Sequence, residues 1–357
     1  MGAARAEVAE RLLQAMRARA VAERIPVSGS IAMTHRCHLR CLHCYLGRER
    51  FEPPLGGELD TTFWCSLVDQ IAEAGCLNLL VTGGEPLIRA DFAHVYAHAR
   101  RRGLLVSVFS NGTLVDEAVV RLFDEYAPDE VEITLYGASA EVYERVTGSR
   151  GAYRRCLGGI DALLTAGVRV GLKAVIMEEN RHEIRAMREM AQARGVSFRV
   201  DAALFPRRDG DRSPLAHRIP ADEAVALEYE DESLHQESRT VFERTRDLPA
   251  DDRLFGCGAA IIAFHVDPQG MLLPCLMVPS HAYDLRQGSF RAGWDSVLST
   301  FPEQKVSPGY ECHVCEKRVI CGACPAQFAF ETGSPSAKSE YLCQLGEARL
   351  RALGIDR

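Results

Sequence analysis

Three cysteines crowd one short stretch, Cys37-His-Leu-Arg-Cys41-Leu-His-Cys44. Soft thiolates at this CxxxCxxC spacing can hold three irons of a 4Fe–4S cube and leave the fourth iron without a protein ligand. An open coordination position suits a catalytic cluster better than one that only relays electrons. The same residues admit a zinc site or a set of buried thiols, with His35, His38 or His43 as a fourth zinc ligand. A second chemically loaded stretch is Gly83-Gly84-Glu85-Pro86. Its glycines would let backbone approach a ligand closely, and Glu85 offers an anion to an ammonium. Taken alone, it reads equally as a turn between a strand and a helix.

Seven further cysteines lie near the C-terminus: Cys257, Cys275 (five residues after Gly270), Cys312-x2-Cys315-x5-Cys321-x2-Cys324, and Cys343. A zinc ribbon expects two CxxC pairs roughly 15–20 residues apart. Here five residues separate the pairs, and one closed zinc site would leave three thiols of the seven unexplained. Cys65, Cys76 and Cys156 stand apart, in or beside expected helices, and read as ordinary core cysteines. Thirteen cysteines among 357 residues, in a reducing compartment, point to metal or catalysis rather than disulfides.

The bulk composition narrows the class. A net charge of −7 gives no support to nucleic-acid binding. No apolar run approaches the ~20 residues of a membrane-spanning helix. The N-terminus has Glu7 and Glu10 among its arginines and no long apolar stretch, so it reads poorly as a signal or transit peptide. The cytoplasm is the expected location.

The chemistry must be positioned by the elements between these motifs. Residues 3–24 predict an amphipathic helix, with Val8, Leu12 and Met16 at helical spacing. Strands are expected at 28–34, 77–82, 104–109, 130–135, 169–176 and 197–204. Helices are expected at 59–75 (capped by Asp60 or Thr61), 91–102, 115–126, 153–166 and 181–194. Alternating strands and helices imply parallel pairing through right-handed crossovers. The strands read as nearly continuous apolar runs, as when both faces are covered. The expectation is an α/β fold: a partial (β/α)6 TIM-like barrel with a small C-terminal cysteine-rich iron–sulfur domain. Each motif falls just after a strand, at the rim where barrel enzymes place their chemistry. The expected divisions are an N-terminal helix (1–26), the barrel (27–206), a charged linker or lid with one helix from Ala221 (207–254), and the cysteine-rich module (255–357).

CxxxCxxC followed by Tyr45 after the first barrel strand, with GGEP after the second, resembles the radical SAM superfamily. The resemblance implies that Cys37, Cys41 and Cys44 bind a 4Fe–4S cluster whose open iron chelates the amino and carboxylate groups of S-adenosylmethionine (SAM). One electron then cleaves the sulfonium to methionine and a 5′-deoxyadenosyl radical. Gly83, Gly84, Glu85 and Pro86 match the motif that contacts the SAM amino group. Ser110-Asn111-Gly112 resembles the family's Thr-Asn-Gly, and Thr134 stands where relatives carry a ribose-contacting Ser. The bland reading of Ser110 and Thr134 is that they cap strand ends. His43 falls where relatives place an apolar residue near the adenine. Tyr136 replaces the usual Asp of the Ser-Leu-Asp-Gly stretch.

The C-terminal order is similar to the SPASM extension of radical SAM enzymes that mature peptides, though two residues rather than three precede Cys324. That resemblance implies a distal auxiliary cluster on Cys312, Cys315, Cys321 and Cys343, and a proximal one on Cys257, Cys275 and Cys324. The proximal set would keep an open iron or take His265 or Asp267; a single auxiliary cluster with structural thiols is the alternative. The implied function is hydrogen abstraction from a ribosomally made peptide, leading to a thioether or C–C crosslink, an epimerised centre or an oxidised side chain. Implied partners are the peptide, a separate leader-recognition protein (or the N-terminal helix in its place) and an electron donor such as flavodoxin or ferredoxin. Alternatives are the same chemistry on a small molecule, such as a tetrapyrrole side chain or a sugar alcohol, and a non-catalytic redox protein. Asp201, near the end of the sixth strand, is the candidate acid–base residue, with a structural carboxylate as the competing reading.

Overall fold

The computed structural model describes residues 2–52, 57–249 and 252–355. After helix α1 (Gly2–Ala22), six strands run in sequence: β1 (Ser28–Ala32), β2 (Asn78–Thr82), β3 (Leu105–Ser110), β4 (Glu130–Thr134), β5 (Val170–Val175) and β6 (Ser197–Asp201). Between them lie α2 (Thr61–Glu73), α3 (Phe92–Arg101), α4 (Glu117–Glu125), α5 (Ala140–Thr147), α6 (Ala152–Thr165) and α7 (Ile184–Ala193). Each strand pairs in parallel with the next, as a βα rhythm requires. The sheet is open rather than closed on itself, so the partial barrel expected from the sequence is the observed fold. Caps match the sequence where the residue types allow them. Asp60 accepts the Phe63 N–H at the start of α2, and Asp116 caps α4.

The apparent continuous hydrophobicity of the strands resolves into two faces. Along β2, Leu79 and Val81 are buried in the core, while Leu80 and Thr82 line the central cavity. Along β5, Leu172 and Ala174 are buried, and Lys173 and Val175 face the cavity. The period of two carries apolar side chains outward to the helices and a mixed, partly charged set inward.

Three features differ from the sequence reading. First, the cysteine-rich segment does not stand beside the barrel. Its strand β7 (Ala263–Val266) pairs in parallel with β1, and β8 (Met271–Leu273) and β9 (Tyr283–Asp284) follow antiparallel, giving the order β6-β5-β4-β3-β2-β1-β7-β8-β9. An unpaired β1 edge would expose backbone donors and acceptors, and β7 satisfies them. Second, residues 207–254 hold two helices, α8 (Ala221–Glu228) and α9 (Glu232–Thr245), rather than one. After α10 (Phe290–Ser296) and α11 (Pro325–Thr332), the chain ends in α12 (Glu340–Ala352), which packs on α8 through an Arg349–Glu228 ion pair with both side chains largely buried. Residues 208 and 209 of this segment bond the end of the cysteine loop. Arg208 N–H donates to the Tyr45 carbonyl and Asp209 accepts the Arg48 N–H. Third, α5 had no counterpart in the sequence reading. As for α1, Val8 lies outside the described side chains, and Leu12 and Met16 are exposed. Among the described residues no helix is long and apolar enough to cross a membrane.

Candidate functional site

The loop after β1 carries Cys37, Cys41 and Cys44, and all three line one cavity of about 340 Å3 at the C-terminal ends of the strands. The loop is held by backbone bonds from two directions. Arg40 and Leu42 N–H groups donate to the carbonyls of Thr147 and Val146, at the end of α5, at 2.8 and 3.1 Å. The Cys37 N–H donates to the Arg50 carbonyl at 3.3 Å, and the Arg50 guanidinium donates to the Cys41 carbonyl at 3.2 Å. Burial pushes the Cys37 thiol up to about 12, against donors from Leu39 N–H and the Asn111 amide. Burial also raises Cys41, with the neighbouring Cys44 and Cys37 adding to it, and raises Cys44 against the nearby Arg50 charge. Metal-free thiols here are therefore protonated, and ligation would release their protons.

The histidines of the loop are engaged elsewhere. His38 bonds the Thr113 hydroxyl at 2.6 Å, and the His43 ring lies 5.2 Å from the Tyr136 ring, its basicity lowered to about 4 by burial. Among the described residues no three or more His, Cys, Asp or Glu side chains gather tightly on a single ion. Three soft thiols on one loop, opening onto one cavity, fit three corners of a four-iron cube.

Gly83 and Gly84 follow β2 and also line the cavity. Their close approach is to the protein's own backbone. A Cβ on Gly83 would sit 2.2 Å from the Thr34 carbonyl oxygen, and one on Gly84 2.3 Å from that of His35. Gly83 has φ +147°, and the Gly84 and Glu85 N–H groups donate to the carbonyls of Thr34 and Arg36 at 2.7 and 2.9 Å. The turn is thus zipped to the segment leading into the cysteine loop.

Glu85 does not offer its carboxylate to the cavity, contrary to the sequence expectation. It is 0 % exposed and closed by the Leu87 and Asn111 N–H groups and the Ser110 hydroxyl, at 2.7–3.1 Å. Burial pushes its pKa up to about 7 despite these donors. Pro86, which opens a short 3-10 turn, is likewise buried. Ser110 thus ties the end of β3 to the GGEP turn, and its oxygen also accepts the Gly112 N–H.

The remaining wall comes from the ends of β3 to β6. Tyr45, Ser110, Asn111, Thr134 and Asp201 all line the cavity. Asp201 accepts the Ala203 N–H at 2.8 Å. The sequence reading missed Lys173. Its Nζ lies 2.5 Å from Glu132 and 3.3 Å from the Phe109 ring centre, and burial lowers its pKa to about 8. Arg199 grips the same Glu132 carboxylate with two bonds at 2.6 and 2.7 Å. One cation inside the otherwise apolar strand Val170–Val175 was the available signal.

The C-terminal cysteines form two groups. Cys312, Cys315, Cys321 and Cys343 line one small cavity with Lys317, whose Nζ lies 3.2 Å from the Cys343 sulfur. Cys275 is raised by burial, and the neighbouring Cys324 and Cys257 push it the same way. A cavity of about 460 Å3 exposes Cys257, Cys312 and Cys324 together. His265 and Asp267 do not join the Cys257 group. The His265 ring bonds Ser30 on β1 at 2.8 Å, and Asp267 accepts the Gln269 and Met271 N–H groups of its own turn.

A parallel partial barrel carrying three thiols and a glycine turn at one rim defines the class: residues 31–191 match the radical SAM superfamily, and the chain is an enzyme of that type. The family implies a 4Fe–4S cluster and SAM. The AdoMet-dependent heme synthase of Methanosarcina barkeri is 27% identical over 335 residues, covering 87% of this chain and 94% of its own. The PqqA peptide cyclase of Gluconobacter oxydans is 27% identical over 346 residues, covering 90% and 91%. Among solved structures, Streptococcus suis SuiB bound to precursor peptide SuiA superposes with TM-score 0.71 at 17% identity, over 94% of this chain and 81% of SuiB. Native anSMEcpe with bound AdoMet gives 0.69 at 15% identity, over 92% and 96%.

Proposed function

We propose that this enzyme reductively cleaves SAM and uses the 5′-deoxyadenosyl radical to abstract hydrogen from a peptide substrate, which is then crosslinked, epimerised or oxidised. The observation that carries the reading is a convergence. Three thiols, the glycine turn and the ends of β3 and β4 all face one cavity. In this reading Cys37, Cys41 and Cys44 hold the cluster that supplies the electron. Gly83 and Gly84 present backbone to the SAM amino acid portion, while Glu85 and Pro86 shape that turn from behind. Asn111 and Thr134 offer polar groups to the ribose, with Ser110 fixing their strand end. His43, neutral when buried, and Tyr45 flank the adenine. Asp201 and Lys173 face the substrate as proton acceptor and donor. The distal set (Cys312, Cys315, Cys321, Cys343) and the proximal set (Cys257, Cys275, Cys324) would each hold an auxiliary cluster, and such a cluster would supply an acceptor for the one electron given up when a crosslinked or oxidised product forms. A cytoplasmic flavodoxin or ferredoxin supplies reducing electrons, and a separate protein presents the peptide leader.

The peptide reading is supported by the peptide cyclase relatives, with similarity over nine-tenths of this chain in one of them. The heme synthase relatives favour a second reading, a tetrapyrrole side chain as substrate. Anaerobically reconstituted protein given SAM and dithionite is expected to release 5′-deoxyadenosine, and Cys41→Ala is not. Release no higher than from Cys41→Ala overturns the enzymatic reading. A precursor peptide that stimulates release and gains a new mass, or takes up solvent deuterium as an epimerised product would, supports the first substrate; stimulation by an iron coproporphyrin instead supports the second.

A further inference from the structure

Arg50 bonds the CxxxCxxC loop at two of its cysteines and carries its charge close to the third. Its carbonyl accepts the Cys37 N–H at 3.3 Å, its Nη1 donates to the Cys41 carbonyl at 3.2 Å, and its positive charge favours the ionised form of the Cys44 thiol. The side chain is buried, with the whole residue 7 % exposed, and its guanidinium lies over the Phe51 ring at 4.6 Å. A buried guanidinium is costly unless negative charge stands beside it. Among the described residues the guanidinium bonds the Cys41 carbonyl, its Nε is buried without a partner, and no carboxylate pairs with it. The negative charge that would offset it comes when the three thiols are deprotonated as metal ligands.

We infer that Arg50 is a positioning residue that sets the reduction potential of the cluster held by Cys37, Cys41 and Cys44, making that cluster easier to reduce. This inference rests on the proposed function only in taking those cysteines as cluster ligands. The sign follows from charge. Reduction adds one electron, supplied by dithionite in the assay, to a centre already carrying three thiolates. A fixed cation beside a ligand sulfur stabilises the more negative state, and a hydrogen bond to that sulfur acts in the same direction. Burial keeps the effect from being screened, whereas the exposed Arg40 on the same loop is screened by solvent.

The test is an EPR-monitored potentiometric titration of the full-length, anaerobically reconstituted protein. It follows the signal that changes shape when SAM is added, which isolates this cluster from any auxiliary one. Arg50→Gln keeps hydrogen-bond donors without charge, Arg50→Lys keeps charge without the fork, and Arg40→Met removes an exposed cation. Iron content is matched first. Arg50→Gln is expected to lower the reduced-to-oxidised ratio at fixed poise at least tenfold, a midpoint about 59 mV more negative for one electron. Arg50→Lys is expected to keep most of the parent value, and Arg40→Met all of it. A parent midpoint in Arg50→Gln overturns the inference. So does an equal shift in Arg50→Lys and Arg50→Gln, or loss of the SAM-responsive cluster from both, since either makes the residue's role purely structural. A parent protein without a SAM-responsive signal would instead overturn the proposed function.

Discussion

Replacing Glu85 by glutamine tests whether the GGEP carboxyl is a structural group rather than a ligand-facing anion. The carboxyl has no exposed surface, and its partners among the described residues are Leu87, Ser110 and Asn111. Burial, the largest influence, outweighs these donors and moves its pKa from 4.5 to about 7. At 1.36 kcal/mol per pH unit, that displacement corresponds to about 3 kcal/mol. The sign is set by which state holds the proton. Below pH 4.5 the native and unfolded chains both hold it, and the contribution to stability is fully present. Between 4.5 and about 7 the unfolded chain ionises while the native one does not, so stability falls as pH rises. Above pH 7 the loss is complete. Glu85→Gln cannot titrate and so lacks this slope. The assay is urea unfolding of anaerobic parent and variant proteins at pH 5.5 and pH 8.5. The parent's advantage over the variant is expected to shrink by about 2 kcal/mol between these values, the first pH unit of the loss lying below pH 5.5. Parallel behaviour of the two proteins across the range would refute the reasoning, and would mean that Glu85 is solvated or ion-paired in solution.

Other expectations follow from the same geometry. Gly84→Ala forces a Cβ to within 2.3 Å of the His35 carbonyl oxygen, so the turn must separate from the cysteine loop; SAM affinity, measured by equilibrium dialysis, should fall tenfold or more, and unchanged affinity refutes the close approach. Arg349→Met leaves Glu228 buried and unpaired, which should cost about 3–5 kcal/mol in chemical unfolding, with partial recovery in the Arg349→Met, Glu228→Leu double variant. Cys343→Ser should remove about four irons per chain if the distal set holds a cube, while leaving SAM-dependent 5′-deoxyadenosine formation measurable; an unchanged iron content counts against a cluster at that set.

Much of the site was legible because its chemistry is local in the chain. The thiol spacings, the glycine pair and the strand rhythm are short-range patterns that composition and periodicity expose directly. The misreadings share one cause, which is that burial and partner choice are not local. Glu85 reads as an anion for a ligand because its neighbours Ser110 and Asn111 lie 25 and 26 residues away in sequence. Helix α5 is only eight residues long, Ala140–Thr147, little more than two turns and too short to stand out from a loop, yet its end carries the cysteine loop. Strand β7 is four residues long and was absorbed into a separate module, although it completes the sheet beside β1.

The residue types of Cys37, Cys41 and Cys44, and the order of strands that brings them to a rim, were determined by the sequence alone. A motif specifies donor atoms, and alternation of strand and helix specifies parallel neighbours. Only the tertiary structure decided which groups surround those thiols. It placed the Arg50 guanidinium at the Cys41 carbonyl, buried Glu85 against β3, and set Tyr136 and Lys173 in the wall of the same cavity. Charge, hydrogen bonding and desolvation act through space over a few ångströms, and chain order does not encode those distances.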